Sequence, residues 1–320
     1  MTITRRHMLA ASAAVLALAG ATPGFAQEEN GATIGVSIPA ATHGWTGGLN
    51  YHAERTIAAM EAAFPQIDFI LTTAATADEQ VSNVEDLRAQ GVDALVILPF
   101  ESDPLTGPVK AAAEEGIFIT TVDRGLSEEG IEDLYVGGNN PGYGTIAAQY
   151  FLDKMPEGGK IVVMRGIPTA IDNIRIEAFQ KALEGSGVEI LDMQYANWNP
   201  DKGFEVMQDY LTRFAEIDGV WAGDDDAALG AKAAIEQAGR EGEMVLLGGS
   251  GMNKVIDMIM KDDPLIDADI FYPPTLIIPA IELTAMRFAT QAPIAGQYVL
   301  DSPLITSENA AEYYFPESPY

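Results

Sequence analysis

The segment Phe118-Ile-Thr-Thr-Val-Asp-Arg124 is a β-branched, largely apolar run that ends abruptly in two charged residues. Such a run is typical of a strand buried in a parallel sheet, where ligands bind beyond the carboxyl ends of the strands. Three similar runs precede it, at residues 33–38, 68–72 and 94–98. Each is followed by a stretch of helical spacing, such as residues 78–90, which Gly91 closes at a C-cap position. This order predicts one doubly wound half.

A second set of strand-like runs begins near residue 134 and again alternates with helical stretches. The runs occupy residues 134–137, 160–164, 188–194, 219–222 and 244–247. Residues 170–183 and 202–214 have the clearest helical spacing. Because the two sets are similar in size and follow each other without a low-complexity linker, the sequence predicts an α/β fold of two doubly wound parallel-sheet lobes.

The N-terminal segment has the pattern of an export signal. Arg5 and Arg6 precede an apolar run at residues 8–21, which ends in the small-residue stretch Gly24-Phe25-Ala26. We expect residues 1–26 to be a signal peptide that is cleaved after Ala26. The arginine pair fits a twin-arginine signal and an ordinary basic n-region equally well, so both the Sec and the twin-arginine routes stay open.

The chain contains no cysteine and is strongly acidic. The absence of cysteine excludes disulfides, iron–sulfur clusters, thiolate zinc sites and a lipid-modified cysteine tether, and this favours a periplasmic location. Removal of the signal leaves 16 basic against 47 acidic residues, a net charge of −31. Such a surface repels phosphate backbones and anionic headgroups. We therefore expect a soluble monomer that does not bind nucleic acid.

Polar and aromatic residues follow the predicted strands at the positions where such sheets bind ligands. In the first half they are His43, Trp45, Asp123 and Arg124, and in the second half Asn140, Asn173, Arg175, Trp198, Asp224 and Ser250. Planar polar groups can grip paired hydroxyls through bidentate hydrogen bonds, and tryptophan can stack on the C–H face of a sugar ring. The pattern indicates a binding site for a small neutral sugar or polyol.

Several short motifs give the chain a resemblance to a known family. They are Val122-Asp-Arg124, Gly137-Gly-Asn-Asn140, Arg175-Ile-Glu-Ala-Phe179, Trp221-Ala-Gly-Asp-Asp-Asp-Ala-Ala-Leu-Gly230 and Leu247-Gly-Gly-Ser-Gly251. In their order and spacing the chain resembles, over nearly its whole mature length, the periplasmic ribose-binding protein family of type I solute-binding proteins. The resemblance implies two lobes joined by three crossovers, near Asn140, Phe271 and Ser302. It also implies solute capture for the membrane permease of an ABC transporter, without catalysis and without a cofactor.

The resemblance assigns the lobes and the site in more detail. It implies a first lobe of residues 30–139 plus 272–302 and a second lobe of residues 140–271 plus 303–320. It places solute contacts on His43, Trp45, Asp123, Arg124, Asn140, Trp198 and Asp224. The chain departs from the family at Asn173, Ser250 and Phe271, which stand in place of an arginine, an aspartate and a glutamine. Since these changes remove hydrogen-bonding groups, polyols, other pentoses and deoxysugars are at least as well supported as ribose.

Some candidate residues also have a purely structural interpretation. Trp45 and Trp198 can be core tryptophans, although both stand in polar stretches. Asp123 and Arg124 can form an ion pair between loops, which would contribute little if exposed. Arg175 can anchor the site rather than touch the solute.

The histidines and the aspartate run do not predict a metal site. His43 has only His52 near it in the sequence. Consecutive aspartates in a turn point in different directions, and a helix-like stretch follows them directly. We expect Asp225 or Asp226 to cap that helix and Asp224 to contact the ligand.

Other functions share parts of this pattern. An exported enzyme is disfavoured, because Gly248-Gly-Ser-Gly-Met252 lacks the final glycine of a Gly-x-Ser-x-Gly elbow and no histidine lies in the second half of the chain. A sugar-responsive transcription regulator would need a basic DNA-binding module. A periplasmic sensor that presents its ligand state to a chemoreceptor or kinase would use the same closed conformation, so that alternative stays open.

Overall fold

Two parallel sheets with helices packed on them organise the chain in the computed structural model, which describes residues 31–41 and 43–320. The predicted signal peptide, residues 1–26, lies outside the described residues. The strands are β1 (Ala32–Pro39), β2 (Ile67–Ala74), β3 (Ala94–Ile97), β4 (Phe118–Val122), β5 (Leu134–Gly138), β6 (Gly159–Arg165), β7 (Val188–Tyr195), β8 (Gly219–Ala222), β9 (Val245–Leu247), β10 (Ala268–Ile270), β11 (Gly296–Leu300) and β12 (Leu304–Thr306). The helices are α1 (Gly44–Ala63), α2 (Ala77–Ala89), α3 (Ser102–Glu114), α4 (Asn140–Lys154), α5 (Ala170–Leu183), α6 (Pro200–Arg213), α7 (Asp225–Ala238), α8 (Asn253–Met260), α9 (Ile277–Thr290) and α10 (Ala310–Tyr313).

The first sheet has six strands in the order β11-β5-β4-β3-β1-β2, and every adjacent pair is parallel. β1 lies between β2 and β3, so the strand order reverses there. Such a switch point opens a crevice beyond the carboxyl ends of the strands. His43 and Trp45 follow β1, and Asp123 and Arg124 follow β4, at this end of the sheet.

The second sheet has four parallel strands in the order β7-β6-β8-β9. β10 and β12 form an antiparallel pair beside it, and the Leu246 N–H donates to the Leu265 carbonyl oxygen at 2.9 Å, just before β10. β6 lies between β7 and β8, which gives a second switch point. Trp198, Asp224 and Ser250 follow β7, β8 and β9 at the same end of the sheet.

The central strands β1, β3, β4 and β8 are buried on both faces, as expected of parallel sheets that helices cover. Ile34, Val36 and Ile38 of β1 are fully buried, and so are Val220 of β8 and Leu246 of β9. Burial of one such side chain contributes about 1.5–3 kcal/mol to the free energy of unfolding. The predicted fold of two doubly wound parallel sheets is confirmed.

The chain passes between the two sheets three times, after β5, after β10 and after β11. The first passage leads into α4, which packs on α5, and the second leads towards α9, which packs on α1 and β4. The third joins β11 of the six-stranded sheet to β12. Within residues 31–41 and 43–320, every helix is too short or too polar to cross a membrane.

Candidate functional site

A cavity opens between the two sheets at the carboxyl ends of their strands. Together with the open space at its mouth it holds about 330 Å³ that no protein atom occupies. Its walls are His43, Trp45, Asp123, Arg124, Ile171, Arg175, Trp198, Asp224, Ser250 and Tyr272. The structure thus brings together most of the predicted site residues, all except Asn140, Asn173 and Phe271.

Asp123 and Arg124 form a buried ion pair on the first-sheet wall. Asp123 Oδ2 lies 3.6 Å from Arg124 Nε, and the two residues are only 2% and 4% exposed. The Tyr272 hydroxyl donates to Asp123 Oδ1 at 2.6 Å, and Arg124 Nη1 donates to the Phe100 carbonyl oxygen at 2.8 Å. This pair is not a solvated contact between surface loops, because both charges depend on partners inside the cavity wall.

The two candidate tryptophans both line the cavity and are both buried. Trp45 Nε1 donates to the Tyr272 carbonyl oxygen at 2.9 Å, which fixes its indole ring. The Arg124 guanidinium carbon lies 5.6 Å from the centre of the Trp198 ring. A Cβ at residue 166 would lie 2.1 Å from Trp198, so Gly166 provides the space for the ring.

Arg175 is held in one orientation by Asn140, Tyr143 and Tyr272, of which only Tyr272 also lines the cavity. Its Nε donates to Asn140 Oδ1 at 2.7 Å, and its guanidinium carbon lies 4.2 Å from the Tyr143 ring centre and 4.3 Å from that of Tyr272. Asn140 therefore positions the guanidinium instead of forming the wall. The stacking keeps the Arg175 donors directed at the cavity.

Asn173 and Phe271 point away from the cavity. Asn173 is exposed, and its Oδ1 accepts a hydrogen bond from Arg165 Nη2 at 2.6 Å. The Phe271 ring packs at 4.7 Å from the Tyr313 ring. The neighbouring residue Tyr272 lines the cavity instead, as Ile171 does near Asn173, and neither was among the predicted contacts.

Asp224 is both the N-cap of α7 and a cavity residue. Its Oδ1 accepts from the Ala227 N–H at 3.0 Å, in the extended backbone conformation of an N-cap. The prediction that Asp225 or Asp226 caps this helix is wrong. The helix begins at Asp225, so its N-cap is Asp224. Asp224 Oδ2 is buried and has no hydrogen-bond partner among the described residues.

Three residues of the cavity wall have backbone conformations that are rare outside glycine. The φ angles are 61° for Asp123, 50° for Trp198 and 138° for Ser250. Conformations of this kind cost on the order of 1–3 kcal/mol each and cluster at ligand sites. The strain indicates that the wall is shaped for a ligand.

A buried carboxyl pair, Asp225 and Asp269, supports the loop that carries Ser250. Asp225 accepts from the N–H groups of Gly249 at 2.9 Å and Met252 at 2.8 Å, and Asp269 Oδ2 accepts from the Gly251 N–H at 2.9 Å. Burial raises the pKa of Asp225 to about 6. Burial and the charge of Asp225 raise the pKa of Asp269 well above its usual range. The two carboxyls are hydrogen-bonded to each other, so they share a proton.

Residues 314–320 lie across both lobes at one side of the cavity. Tyr320 fits a notch in α1, where a Cβ at Gly44 would come within 2.9 Å of its ring and a Cβ at Gly48 within 2.8 Å of the Tyr320 Cβ. Tyr51 of α1 donates to the Glu317 carbonyl oxygen at 3.2 Å. On the other lobe, Asn253 Nδ2 donates to carbonyl oxygens of the same segment at 2.7 and 3.0 Å. With His43 Nδ1 also 3.9 Å from Asp226 Oδ2 across the cleft, the structure has the two lobes closed on each other.

Sequence comparison places the chain among binding proteins. Residues 34–280 match the family described as periplasmic binding protein domain. Over 199 residues the chain is 32% identical to the ribose import binding protein RbsB of Bacillus subtilis strain 168, and the alignment covers 62% of this chain and 64% of that protein. The chain therefore spans less than two thirds of the length of the curated relatives that it matches, such as this one and the D-ribose/D-allose-binding protein of Pseudomonas aeruginosa, of which it covers 62%.

Solved structures agree with the sequence match. An ABC transporter solute binding protein from Mycobacterium smegmatis with bound glycerol has a TM-score of 0.80 at 26% identity, over 90% of this chain and 98% of that one. Another from Bacillus halodurans C-125 with bound myo-inositol has a TM-score of 0.81 at 21% identity, over 92% and 100%, which supports the fold alone. The resemblance to ribose-binding proteins is thereby confirmed, and the chain belongs to the periplasmic binding protein domain family.

Proposed function

We propose that this chain is an exported solute-binding protein that captures a small sugar or polyol in the cleft and presents it to the permease of an ABC importer. The observation that carries the proposal is the cavity itself, which combines two tryptophans with the buried Asp123–Arg124 pair and Arg175. Aromatic faces suit the C–H surface of such a solute, and planar charged groups suit paired hydroxyls. The ribose-binding relative and the glycerol-bound structure support the same class of ligand.

Hinge closure is the mechanism that we propose for capture. The three passages between the sheets, near Asn140, Phe271 and Ser302, would act as the hinge. The two predicted lobes would then move as rigid bodies about it. A solute held by one lobe favours the closed form only through contacts that the other lobe adds. His43, Arg124 and Trp198 meet across the cleft and would provide such contacts. The closed form would be what the permease recognises.

The proposed location is the periplasm, with the chain acting as a monomer. Export through either the Sec or the twin-arginine route is compatible with Arg5 and Arg6. The wall residues offer binding groups for a whole solute rather than an activated nucleophile, which fits a binding protein and not an enzyme.

A thermal-shift screen over pentoses, hexoses and polyols tests the proposal. A specific ligand that binds only the folded form raises Tm by mass action, with about 2.7 kcal/mol gained at a concentration of a hundred times Kd. We expect a small number of related solutes to raise Tm, and glycine betaine and amino acids to leave it unchanged. If sugars and polyols give no shift while an amino acid or peptide does, the solute class is wrong.

Trp198→Ala should weaken binding of the solute found by that screen by roughly 1–3 kcal/mol, the range of a buried aromatic contact. Trp198 forms part of the cavity wall, whereas Trp221 is 1% exposed and packs 4.3 Å from Phe179 in the core. Calorimetric titration measures the change. In the control Trp221→Phe, which retains Trp45 and Trp198, the solute should still alter tryptophan fluorescence. Unchanged affinity in Trp198→Ala would remove Trp198 from the binding site.

A further inference from the structure

The segment at residues 314–320 is fixed on the second lobe at its start. It follows β12 and α10, where β12 pairs with β10 and α10 packs on α8. At the start of α8, Asn253 Nδ2 donates to the carbonyl oxygens of Phe315 and Ser318 at 2.7 and 3.0 Å. The Phe315 N–H donates back to Asn253 Oδ1 at 3.0 Å. One side chain of the second lobe therefore makes three hydrogen bonds to this segment.

The same segment runs along α1 of the first lobe. The Tyr51 hydroxyl donates to the Glu317 carbonyl oxygen at 3.2 Å, and His52 Nε2 lies at hydrogen-bond distance, 3.2 Å, from Ser318 Oγ. Tyr51 and His52 are both residues of α1. Residues 314–320 are therefore hydrogen-bonded to both lobes.

Tyr320 occupies a seat that α1 provides by carrying glycines. A Cβ at Gly44 would lie 2.9 Å from the Tyr320 ring, and a Cβ at Gly48 would lie 2.8 Å from both Tyr320 and Pro274. Glycine within a helix is unfavourable, because it loses more backbone freedom on folding than any other residue. Gly48 stands within α1 all the same, and Tyr320 is only 4% exposed. The helix is thus shaped for this side chain.

The seat of Tyr320 adjoins the cavity. The Tyr320 hydroxyl lies beside the Ser250 side chain. Burial, followed by the charge of Asp225 and then that of Asp224, raises the pKa of Tyr320 well above its usual range, so the hydroxyl stays protonated. Asp224 and Ser250 both line the cavity. A shift of Tyr320 out of its seat would leave this part of the cavity wall without support from behind.

Contacts that join the two lobes favour the closed form, because they are made only when the lobes lie together. The hydrogen bonds from Asn253 to the segment lie within the second lobe, whereas the contacts of the segment with Tyr51 and His52, and the seat of Tyr320, join it to the first. Under the proposed hinge mechanism, opening would move α8 relative to α1, and one of the two sets of contacts would be lost. None of these contacts involves the solute, so they favour closure of the free protein as well.

We propose, on the basis of the proposed function, that residues 314–320 are a strap that holds the two lobes closed on the solute, and that Tyr320 is its positioning residue. The strap adds to the affinity without touching the solute. Because it stabilises the closed form, it slows release of the solute more than it speeds capture. The rate of release would then depend on this strap as well as on the cavity wall.

Detachment of either end of the strap tests the proposal. Tyr320→Ala empties the seat on the first lobe, and Asn253→Ala removes the three hydrogen bonds on the second. We expect each variant to release the solute found by the screen about ten times faster than wild type, because the closed form loses the buried ring or the hold on the strap. Stopped-flow tryptophan fluorescence gives the release rate, and calorimetric titration gives Kd.

Two control variants of the same segment check the assignment. Tyr320→Phe retains the ring, and Phe315→Ala changes a side chain that is 51% exposed while it leaves the backbone groups that Asn253 binds. Both should release the solute within about threefold of the wild-type rate. Thermal melting without solute checks that every variant is folded.

The double variant Tyr320→Ala/Asn253→Ala distinguishes a strap from two local effects. Once one end is detached, the strap no longer joins the lobes, so we expect the double variant to release the solute no more than about twofold faster than either single variant. If the two effects multiply, each residue supports only its own lobe and the strap is overturned. Release within about twofold of wild type in both single variants also overturns it.

Small-angle X-ray scattering without solute separates this inference from the proposed function. We expect Tyr320→Ala and Asn253→Ala to have a larger radius of gyration than wild type and Phe315→Ala, because a larger fraction of the molecules is open. Equal radii for all four proteins would overturn the strap even if sugars bind. If no sugar or polyol binds, the proposed function fails, and the scattering, which needs no solute, still decides whether the strap holds the lobes together.

Discussion

Asp123→Ala and Arg124→Ala should each remove most of the affinity for the solute, by about 2–5 kcal/mol, which is roughly 30-fold to several thousand-fold in Kd. The two charges are almost completely buried and lie 3.6 Å apart. Loss of either one leaves the other without its partner in a site of low dielectric constant. Loss of Asp123 also leaves the Tyr272 hydroxyl without its acceptor. Calorimetric titration with the screened solute measures both variants.

A matched control distinguishes this effect from the loss of any ion pair. Arg88→Ala removes one partner of an exposed pair with Glu115, at 3.5 Å, and should leave Kd unchanged. Circular dichroism must show that all three variants are folded. Affinities within about threefold of wild type for both cavity variants would place the binding site elsewhere.

Asp269→Asn should flatten the dependence of stability on pH between pH 4 and 7, because it removes a carboxyl that holds its proton in the folded form. In the wild type, burial and then the charge of Asp225 raise the pKa of Asp269 well above its usual range, and each unit of such a shift is worth about 1.4 kcal/mol. A raised carboxyl pKa stabilises the folded form when the proton is bound. This contribution is complete below about pH 4 and falls as the pH rises towards the raised pKa of Asp269. An asparagine amide can donate to Asp225 without a titrating proton.

Urea unfolding of wild type and variant at pH 4, 5, 6 and 7 gives the measurement. At pH 4 we expect the variant to be less stable, because one backbone N–H near Asp269 loses its acceptor; by pH 7 the difference should shrink or reverse. Asp257→Asn, a carboxylate outside the pair, should follow the wild-type profile. Parallel profiles for Asp269→Asn and wild type would show that the pair does not share a proton.

The parallel strands could be predicted because their signal is local. Continuous apolar runs with turn residues on both sides specify a buried strand, and each of the predicted runs forms a strand within two residues of the expected bounds. β10 and β12 were not predicted, because three residues are too few to show a periodicity. β11 was not predicted either. Its residues are mostly exposed, so it lacks the apolar run of a buried strand.

The site could be predicted as a set of strand ends but not as a set of side-chain directions. In α5, Ile171 and Arg175 are four residues apart and share the face towards the cavity, whereas Asn173 lies two residues from each and points to the opposite side. Helical spacing from Arg175 predicts that Asn173 faces away from the cavity, whereas the family resemblance assigns Asn173 to the site. Between Phe271 and Tyr272, sequence holds no such guide, because the passage between the sheets is irregular and either residue could face inwards.

The segment at residues 314–320 affects how this protein could be made into a biosensor. Tyr320 is 4% exposed and its ring is seated against Gly44 beside the cleft, so this stretch is a poor place to attach a fluorescent reporter. A reporter attached through this segment would pull the ring from its seat and weaken the grip of Asn253 on the same stretch. Its signal would then mix solute occupancy with detachment of the segment. A cysteine for dye labelling on exposed Met286 of α9, in a chain that has no other cysteine, would avoid this ambiguity.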